Sequence, residues 1–176
     1  MRKGLIQIYT GEGKGKTTAA IGQGMRALGN GYKVYMIQFL KGGGTGELRV
    51  LEKLGPNFKV FSFEKKRGFI WELEKDEIVQ LKMEVRKAFD FAKTVLYREE
   101  CDILILDEIM AALSNNLIGV DEIIGVLKNK PASVEIILTG RDTPKEILEL
   151  SDYVSDILCK KHPFQKGVKA RRGIEY

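Results

Sequence analysis

The stretch Thr10-Gly11-Glu12-Gly13-Lys14-Gly15-Lys16-Thr17-Thr18 decides the fold, because it follows a short apolar run and opens a helical pattern. Its three glycines let successive backbone N–H groups point inward, and the following helix N-terminus adds partial positive charge. Such a loop binds a polyphosphate, with Lys16 on the phosphate oxygens and the Thr17 hydroxyl on Mg²⁺. The strict P-loop pattern has glycine where this chain has Thr10, and the dinucleotide pattern G-x-G-x-x-G fails at Lys16. We therefore predict a P-loop after the first strand.

Short β-branched segments alternate with helical patterns along the chain. The predicted strands are residues 5–9, 33–39, 58–63, 102–107, 134–139 and 153–158, and the predicted helices are 16–28, 76–97, 121–128 and 144–150. Residues 41–47 and 64–75 are predicted loops. This alternation implies right-handed crossovers and a mainly parallel sheet with helices on both faces. We expect an α/β, RecA-like P-loop fold with about six strands, and one domain over residues 1–176.

The net charge of the 176-residue chain is local. There are 29 Lys and Arg against 24 Asp and Glu, a formal charge of +5. The C-terminal segment 160–176 contains six basic residues and one acidic residue, so residues 1–159 are neutral. This segment lacks interleaved exposed aromatics and any reading motif, so we expect no nucleic-acid partner. A nucleic-acid-binding module, with salt-sensitive affinity, stays the alternative. The cations are expected near a bound polyanion or a subunit contact, or else simply in solvent.

Several other classes are excluded by composition. No apolar run approaches the roughly 18–20 residues of a membrane span, and Met1-Arg2-Lys3 is not followed by the apolar core of a secretory signal. We therefore expect a cytoplasmic protein without membrane association. Cys101 and Cys159 are too few for a disulfide scaffold and, with one histidine, make no four-ligand zinc site without carboxylates. Both are predicted to be small buried apolar residues.

A second motif, Ile103-Leu104-Ile105-Leu106-Asp107-Glu108, is an apolar strand that ends in two carboxylates. In a nucleotide-binding sheet, a carboxylate at this place reaches the hydrated magnesium beside the phosphates. If the strand continues, Asp107 and Glu108 point in roughly opposite directions. One would then hold the metal while the other shapes the pocket, and the sequence does not decide which.

Three further side chains are candidates for the site. Arg141 follows the fifth predicted strand at the same edge as the P-loop, and it either holds phosphate or pairs with Asp142 or Asp107. Lys41 follows the second strand and has a similar position, the alternative being a solvated loop lysine. His162 is expected to be structural rather than catalytic. Up to this point a kinase, an ATPase and a nucleotide switch all suit the residues.

A resemblance to a known family narrows the chemistry. The segments that carry it are GLIQIYTG at 4–11, GKGKTTAA at 13–20, QFLKG at 38–42, LDE at 106–108, LTGR at 138–141 and, in the tail, KHPF at 161–164, GVKA at 167–170 and GIEY at 173–176. Together they resemble the ATP:corrinoid adenosyltransferase family of vitamin B12 biosynthesis, whose loop likewise has threonine in place of the first glycine. Members commonly begin with an additional N-terminal segment that covers the site of a neighbouring subunit, whereas the first strand here starts near Gly4.

The resemblance implies that a corrinoid reduced to Co(I) attacks the 5′ carbon of ATP and releases triphosphate. ATP would lie back to front, its triphosphate bound by Gly11, Glu12, Gly13, Lys14, Gly15, Lys16, Thr17 and Thr18, together with Lys41 and Arg141. Lys16 and Mg²⁺ would stabilise the leaving group, with Thr17, Asp107 and Glu108 as metal candidates. A Co(I) nucleophile carries its own electron pair, so no general base is needed, and the sequence shows no Ser/His/Asp constellation.

The family also uses aromatic residues to displace the lower axial ligand of Co(II) corrinoid, which eases its reduction. Phe69 and Trp71 match these residues by position, the alternative being that both tuck into the body or an interface. The resemblance further implies a homodimer and a flavoprotein reductant. The alternative function is a P-loop ATPase or kinase in which Glu108 activates a water or an acceptor and ADP is released.

Overall fold

The computed structural model describes residues 3–42, 46–68 and 70–174. Within these ranges the strands are Ile6–Thr10 (β1), Val34–Gln38 (β2), Phe58–Ser62 (β3), Ile103–Asp107 (β4), Glu135–Thr139 (β5) and Tyr153–Asp156 (β6). The α-helices are Lys16–Leu28 (α1), Gly46–Leu51 (α2), Lys75–Tyr97 (α3), Ile109–Ser114 (α4), Val120–Lys128 (α5) and Lys145–Leu150 (α6), with 3₁₀ turns at Glu52–Leu54, Ile70–Glu72 and Pro163–Lys166. All six predicted strands and all four predicted helices are confirmed. No helix in these ranges is both long and apolar enough to traverse a bilayer.

The strands form one sheet in the order β3-β2-β4-β5-β1-β6, and every neighbouring pair is parallel. The predicted parallel α/β fold is therefore confirmed. The strand β5 lies between β1, which leads into the P-loop, and β4, which ends in Asp107. In register, Gln38 is paired with Asp107, and Thr10 with Asp156. The carboxyl ends of the strands consequently meet at one edge, where α/β sheets bind their ligands.

Alternating strand residues divide the core into two layers. Val34 and Met36 of β2 pack in the same cluster as α1 and α2, whereas Tyr35 and Ile37 belong to the cluster that contains the apolar stripe of α3. The central strands β2, β4 and β5 are buried along their whole length, as expected of strands covered on both faces. The predicted placement of helices on both faces is thus confirmed.

Two short helices were not predicted. The loop prediction for residues 41–47 is wrong at its end, because Gly46 and Glu47 already belong to α2. The helix α4 was missed because it follows β4 without a loop, the direction changing at Glu108, whose φ is 60°. Each of these helices has six residues, too few for a helical period to show in the sequence.

Glycine is required at Gly13 and at Gly15 of the P-loop for different structural reasons. The chain after β6 runs directly against the loop, since the Gly13 N–H donates to the Ile157 carbonyl at 2.6 Å and the Ile157 N–H to the Thr10 carbonyl at 2.9 Å. A Cβ on Gly13 would lie 2.6 Å from that Ile157 oxygen, a distance that real contacts do not show. Gly15 has open space around it, but its φ of 123° disfavours any side chain.

Gly13→Ala should therefore destabilise the protein. The new methyl group has to push the Ile157 backbone away, and we expect a loss of about 1–3 kcal/mol in the free energy of unfolding. Gly22→Ala is the matched control, because Gly22 is exposed in α1 with nothing within 4 Å of an added Cβ. That change should stabilise by about 0.5–1 kcal/mol. Urea unfolding of both variants measures the difference, and equal stability of Gly13→Ala and the unmodified protein would contradict the packing argument.

Candidate active site

A cavity of about 880 Å³ opens at the carboxyl edge of the sheet. Of the predicted nucleotide-binding residues, all but Gly11 line it: Glu12, Gly13, Lys14, Gly15, Lys16, Thr17, Thr18, Lys41 and Arg141. Glu108 also lines the cavity. Asp107 and Trp71 are not among its described lining residues, and Phe69 falls outside the described part of the chain. The structure thus brings most of the predicted site residues together around one opening.

The buried ammonium group of Lys16 is held by the loop itself. Its Nζ donates to the Gly11 carbonyl at 2.6 Å and to the Gly13 carbonyl at 3.0 Å. Burial lowers the pKa of Lys16, and the neighbouring cation Arg141 acts in the same direction, while Glu108 opposes both. A phosphate oxygen would offer this ammonium a charged partner in place of neutral carbonyls, and charge-assisted hydrogen bonds are the stronger kind.

Asp107 is the most heavily bonded side chain of the site. Its carboxylate is wholly buried and accepts four side-chain hydrogen bonds. Thr17 Oγ1 and Thr139 Oγ1 donate to Oδ1 at 2.9 and 2.7 Å, and Lys41 Nζ and Gln38 Nε2 donate to Oδ2 at 2.7 and 3.2 Å. A buried carboxylate is tolerated only when it is satisfied in this way. Asp107 therefore fixes the relative positions of α1, β5 and the end of β2.

Glu108 takes the opposite direction. Its backbone is in the left-handed region with φ at 60°, and its N–H donates to Thr139 Oγ1 at 2.9 Å. Such a conformation costs a non-glycine residue on the order of 1–3 kcal/mol and is frequent at functional sites. The turn directs the chain into α4 and leaves Glu108 lining the cavity while Asp107 is buried behind it. The two carboxylates therefore diverge as predicted, but through a turn at Glu108 and not through continuation of the strand, which ends at Asp107. Which of them holds a metal stays a prediction.

The described residues contain no cluster of three or more His, Cys, Asp or Glu side chains that could hold a metal unaided. The oxygens that are present nevertheless suit a cation, because the Lys41 ammonium already lies 2.9 Å from Thr17 Oγ1 and 2.7 Å from Asp107 Oδ2. Magnesium is usually bound by one or two carboxylates together with substrate phosphates. The donor set around Thr17 therefore fits a Mg²⁺ ion that arrives with a polyphosphate.

Arg141 forms an ion pair with Glu12 rather than with Asp142 or Asp107. Both side chains line the cavity and are more than half exposed. An ion pair this exposed contributes little to stability. Its partner was not predicted, because Glu12 lies 129 residues away in the sequence.

The C-terminal segment forms part of the cavity wall, but through residues that were not predicted. The lining residues from this part of the chain include no Lys, Arg, Asp or Glu: they are Cys159, which directly precedes the segment, and His162, Phe164, Gln165, Gly173 and Ile174. The expectation that its lysines and arginines approach the bound polyanion is not supported, since none of them is among the described lining residues. Lys14 Nζ ties the segment to the P-loop by donating to the Ile174 carbonyl at 2.7 Å.

The structure also bears on the predictions for His162 and the two cysteines. His162 has the expected structural part, because its Nδ1 accepts from the Phe164 N–H at 3.2 Å and caps the turn Pro163–Lys166. The prediction of two buried cysteines is confirmed for Cys101 and wrong for Cys159, which is exposed. The cysteine lies past the end of β6, where the chain leaves the sheet and faces the cavity.

Trp71 lies in the 3₁₀ turn Ile70–Glu72 and is 77% exposed. The apolar residues on either side of it, Ile70 and Leu73, pack against the core and orient the turn. Arg67 holds the preceding chain on α3 through two hydrogen bonds to Glu84, at 2.5 and 2.9 Å. The alternative that this indole tucks into the body of the chain is therefore wrong for Trp71.

Glu64 is a buried carboxylate at the start of the predicted loop 64–75. It lies close to the backbone of Leu40 and Lys41, and burial raises its pKa to about 7, although the two backbone amides oppose this shift. The carboxylate of Glu84 on α3 adds to the rise, and Arg67 opposes it. Among the described residues, neither carboxylate oxygen makes a hydrogen bond of good geometry.

The raised pKa of Glu64 makes stability depend on pH. The unfolded chain releases this proton near pH 4.5 and the folded chain near pH 7, so folding becomes less favourable as pH rises through this window, by up to about 3 kcal/mol. Glu64→Gln should remove this decline and leave the variant more stable than the unmodified protein above pH 7. Urea unfolding between pH 4.5 and 8 measures it, with the exposed Glu52→Gln as control. Parallel pH profiles for all three proteins would contradict the prediction.

Comparison with known proteins gives a consistent result. The family model described as ATP:corrinoid adenosyltransferase BtuR/CobO/CobP matches residues 2–176. The corrinoid adenosyltransferase of Escherichia coli K12 is 38% identical over 175 residues, which cover 99% of this chain and 86% of that protein. The corrinoid adenosyltransferase CobA of Salmonella typhimurium is 37% identical with the same coverage, and a Sinorhizobium corrinoid adenosyltransferase is 37% identical over 177 residues, 99% and 81% of the two chains.

Among solved structures, a KaiC-like protein from Pyrococcus horikoshii OT3 superimposes with a TM-score of 0.50 at 16% sequence identity. The match covers 88% of this chain and 73% of that one. At this level of identity the similarity concerns the fold alone.

Proposed function

The chain belongs to the ATP:corrinoid adenosyltransferase family, and we propose that its P-loop cavity is where the 5′-deoxyadenosyl group of ATP passes to the Co(I) centre of a corrinoid. The enzyme is thus a transferase that uses ATP and a corrinoid as substrates. The observation that carries the placement of the reaction is the convergence of the P-loop, Lys16, Lys41 and Arg141 on one cavity. These groups form an anion site suited to a triphosphate.

The bonds balance without a proton transfer. The electron pair of Co(I) attacks the 5′ carbon of ATP, a cobalt–carbon bond forms, and the carbon–oxygen bond breaks with its pair leaving on triphosphate. The site's own contribution is then to stabilise charge that grows on the leaving group. Backbone N–H groups of the P-loop, Lys16 and Arg141 are the donors we propose for this role. The histidine of the cavity wall, His162, is used as a helix cap, in keeping with a reaction that needs no general base.

We propose that Thr17 and the two carboxylates Asp107 and Glu108 hold Mg²⁺ together with the triphosphate, Asp107 from the buried side and Glu108 from the cavity side. The support is that Thr17 Oγ1 and Asp107 Oδ2 already accept hydrogen bonds from one cation, the Lys41 ammonium, and that Glu108 lines the cavity. When bound, the ion would neutralise part of the charge on the leaving group. The neutral wall made by the C-terminal segment suits the nucleoside and corrinoid parts of the substrates, with the exposed ring of Phe164 offering a stacking face.

Three finer proposals follow from the family. The enzyme is proposed to be cytoplasmic, to receive electrons from a flavoprotein and to form a homodimer. Support for the last comes from β6, an edge strand whose residues Tyr153 and Val154 are exposed, since uncovered apolar edges favour association. Light scattering of the purified protein measures its mass in solution, and a monomer at micromolar concentration would contradict the homodimer.

The test of the proposed function is product analysis. The purified protein, MgATP, a corrinoid and a strong reductant should yield a light-sensitive alkyl cobalt spectrum and stoichiometric triphosphate. Lys16→Met should lose most of this activity, whereas Lys166→Met, which removes an exposed lysine outside the cavity lining, should retain it. ADP with phosphate as the products would favour the ATPase or kinase alternative. Absence of the alkyl product while Co(I) is demonstrably present would overturn the proposal.

Another prediction concerns Trp71. Trp71→Ala should leave the affinity for ATP unchanged and slow turnover at least about tenfold when the corrinoid is supplied as Co(II) with reductant, a barrier increase of about 1.4 kcal/mol. With chemically prepared Co(I), the same variant should turn over at nearly the normal rate, because only the reduction step needs the axial ligand displaced. Met83→Ala, which removes another exposed apolar side chain, is the control. Equal slowing with both corrinoid states would exclude the axial-ligand role.

A further inference from the structure

Lys41 contacts the same oxygens that the proposed function gives to the metal. Its Nζ lies 2.9 Å from Thr17 Oγ1 and 2.7 Å from Asp107 Oδ2, and its side chain is 23% exposed. The Thr17 hydroxyl donates its hydrogen bond to Asp107 Oδ1, so a lone pair of Thr17 Oγ1 faces the Lys41 ammonium. The Lys41 ammonium thus lies between the two oxygen ligands that Thr17 and Asp107 would supply to a metal ion.

The backbone that carries Lys41 is held in place independently of this contact. Ser62 Oγ donates to the Lys41 carbonyl at 3.1 Å. The next residue, Gly42, packs so closely on the following segment that an added Cβ would lie 2.4 Å from Lys66 Cα. Only the side chain of Lys41 therefore has to move for its ammonium to leave Asp107. Because Lys41 lines the cavity, the displaced ammonium would stay within the same anion site.

We propose that Lys41 is a built-in cation that occupies the metal position between Thr17 and Asp107 and has to leave before a divalent ion enters. This inference rests on the proposed function for its assignment of Thr17 and Asp107 to the metal. Two positive charges repel strongly at such a distance in a partly buried site. Lys41 therefore keeps the site from taking up free divalent ions, and polyphosphate, by offering Lys41 an alternative partner, makes metal entry favourable.

The direct test is Mn²⁺ binding to the nucleotide-free protein, followed by electron paramagnetic resonance of the free ion. Lys41→Met should bind Mn²⁺ at least about tenfold more tightly than the unmodified protein, because it removes the competing charge and leaves Thr17, Asp107 and Glu108 in place. Lys66→Met, at an exposed lysine one loop away, is the matched control and should bind like the unmodified protein. Unchanged or weaker Mn²⁺ binding by Lys41→Met would overturn the proposal.

A second measurement uses ATP without metal. In EDTA, calorimetry should show that the unmodified protein retains ATP affinity and that Lys41→Met loses at least about tenfold more affinity in EDTA than in Mg²⁺, since the resident cation is gone. Equal losses under both conditions would contradict the exchange. Should Lys41→Met not fold, Lys41→Gln keeps a hydrogen-bond donor toward Asp107 while removing the charge, and the same two titrations apply to it.

The proposed reaction and the proposed cation exchange can be contradicted independently of each other. Neither titration involves a corrinoid, so tighter Mn²⁺ binding by Lys41→Met in a protein that forms no alkyl cobalt product would support the cation exchange and contradict the proposed reaction. Normal product formation by the unmodified protein, with no change in Mn²⁺ affinity on removal of Lys41, would contradict the exchange alone.

Discussion

The buried carboxylate of Asp107 is the constraint on which the rest of the site depends. A charge without access to water has to be matched by donors at short distance, and the four donors come from three separate parts of the chain. The strand order supplies them. The strand β2 on one side presents Gln38, β5 on the other presents Thr139, and the helix after the P-loop presents Thr17. A register shift of one residue in either pairing would remove a donor, so the carboxylate and the sheet specify each other.

The P-loop is shaped by a second, independent contact. The chain beyond β6 forms hydrogen bonds along the loop as though continuing the sheet. Gly11 and Gly13 are needed because a Cβ at either position would clash with this chain. From there the same chain becomes the neutral wall of the cavity and returns to Lys14 through the Ile174 carbonyl. The segment that carries the net charge of the protein therefore reaches the cavity through His162, Phe164, Gln165, Gly173 and Ile174, and its Ile174 carbonyl ties it to the P-loop.

Much of the fold could be predicted from the sequence, and for a definite reason. Strand and helix positions depend on local periodicity, and β2, β4 and β5 are apolar enough to mark a buried parallel sheet. What was missed depends on distant neighbours or on too few residues. Six residues show no helical period in α2 or α4. The burial of Glu64 could not be predicted because it depends on the backbone of Leu40 and Lys41, which lie more than 20 residues away in the sequence. The positive φ of Glu108, which leaves Glu108 at the cavity and Asp107 buried behind it, has no signature in an acidic dipeptide.

The cations of the site are all engaged before any substrate arrives. Lys16 donates hydrogen bonds to two loop carbonyls, whereas Lys41 and Arg141 form ion pairs, with Asp107 and Glu12 respectively. Binding a triphosphate is therefore an exchange of partners, and its free energy is the difference between the new contacts and those given up. Arg141 gives up an exposed pair and loses little, whereas Lys41 leaves a buried carboxylate that needs a replacement cation. A nucleotide that brings its own metal ion meets that need, and one without it has to leave Lys41 in place. On the proposed exchange, the order of burial among these pairs, rather than the number of cations, determines which cation stands beside Asp107 when the nucleotide is bound.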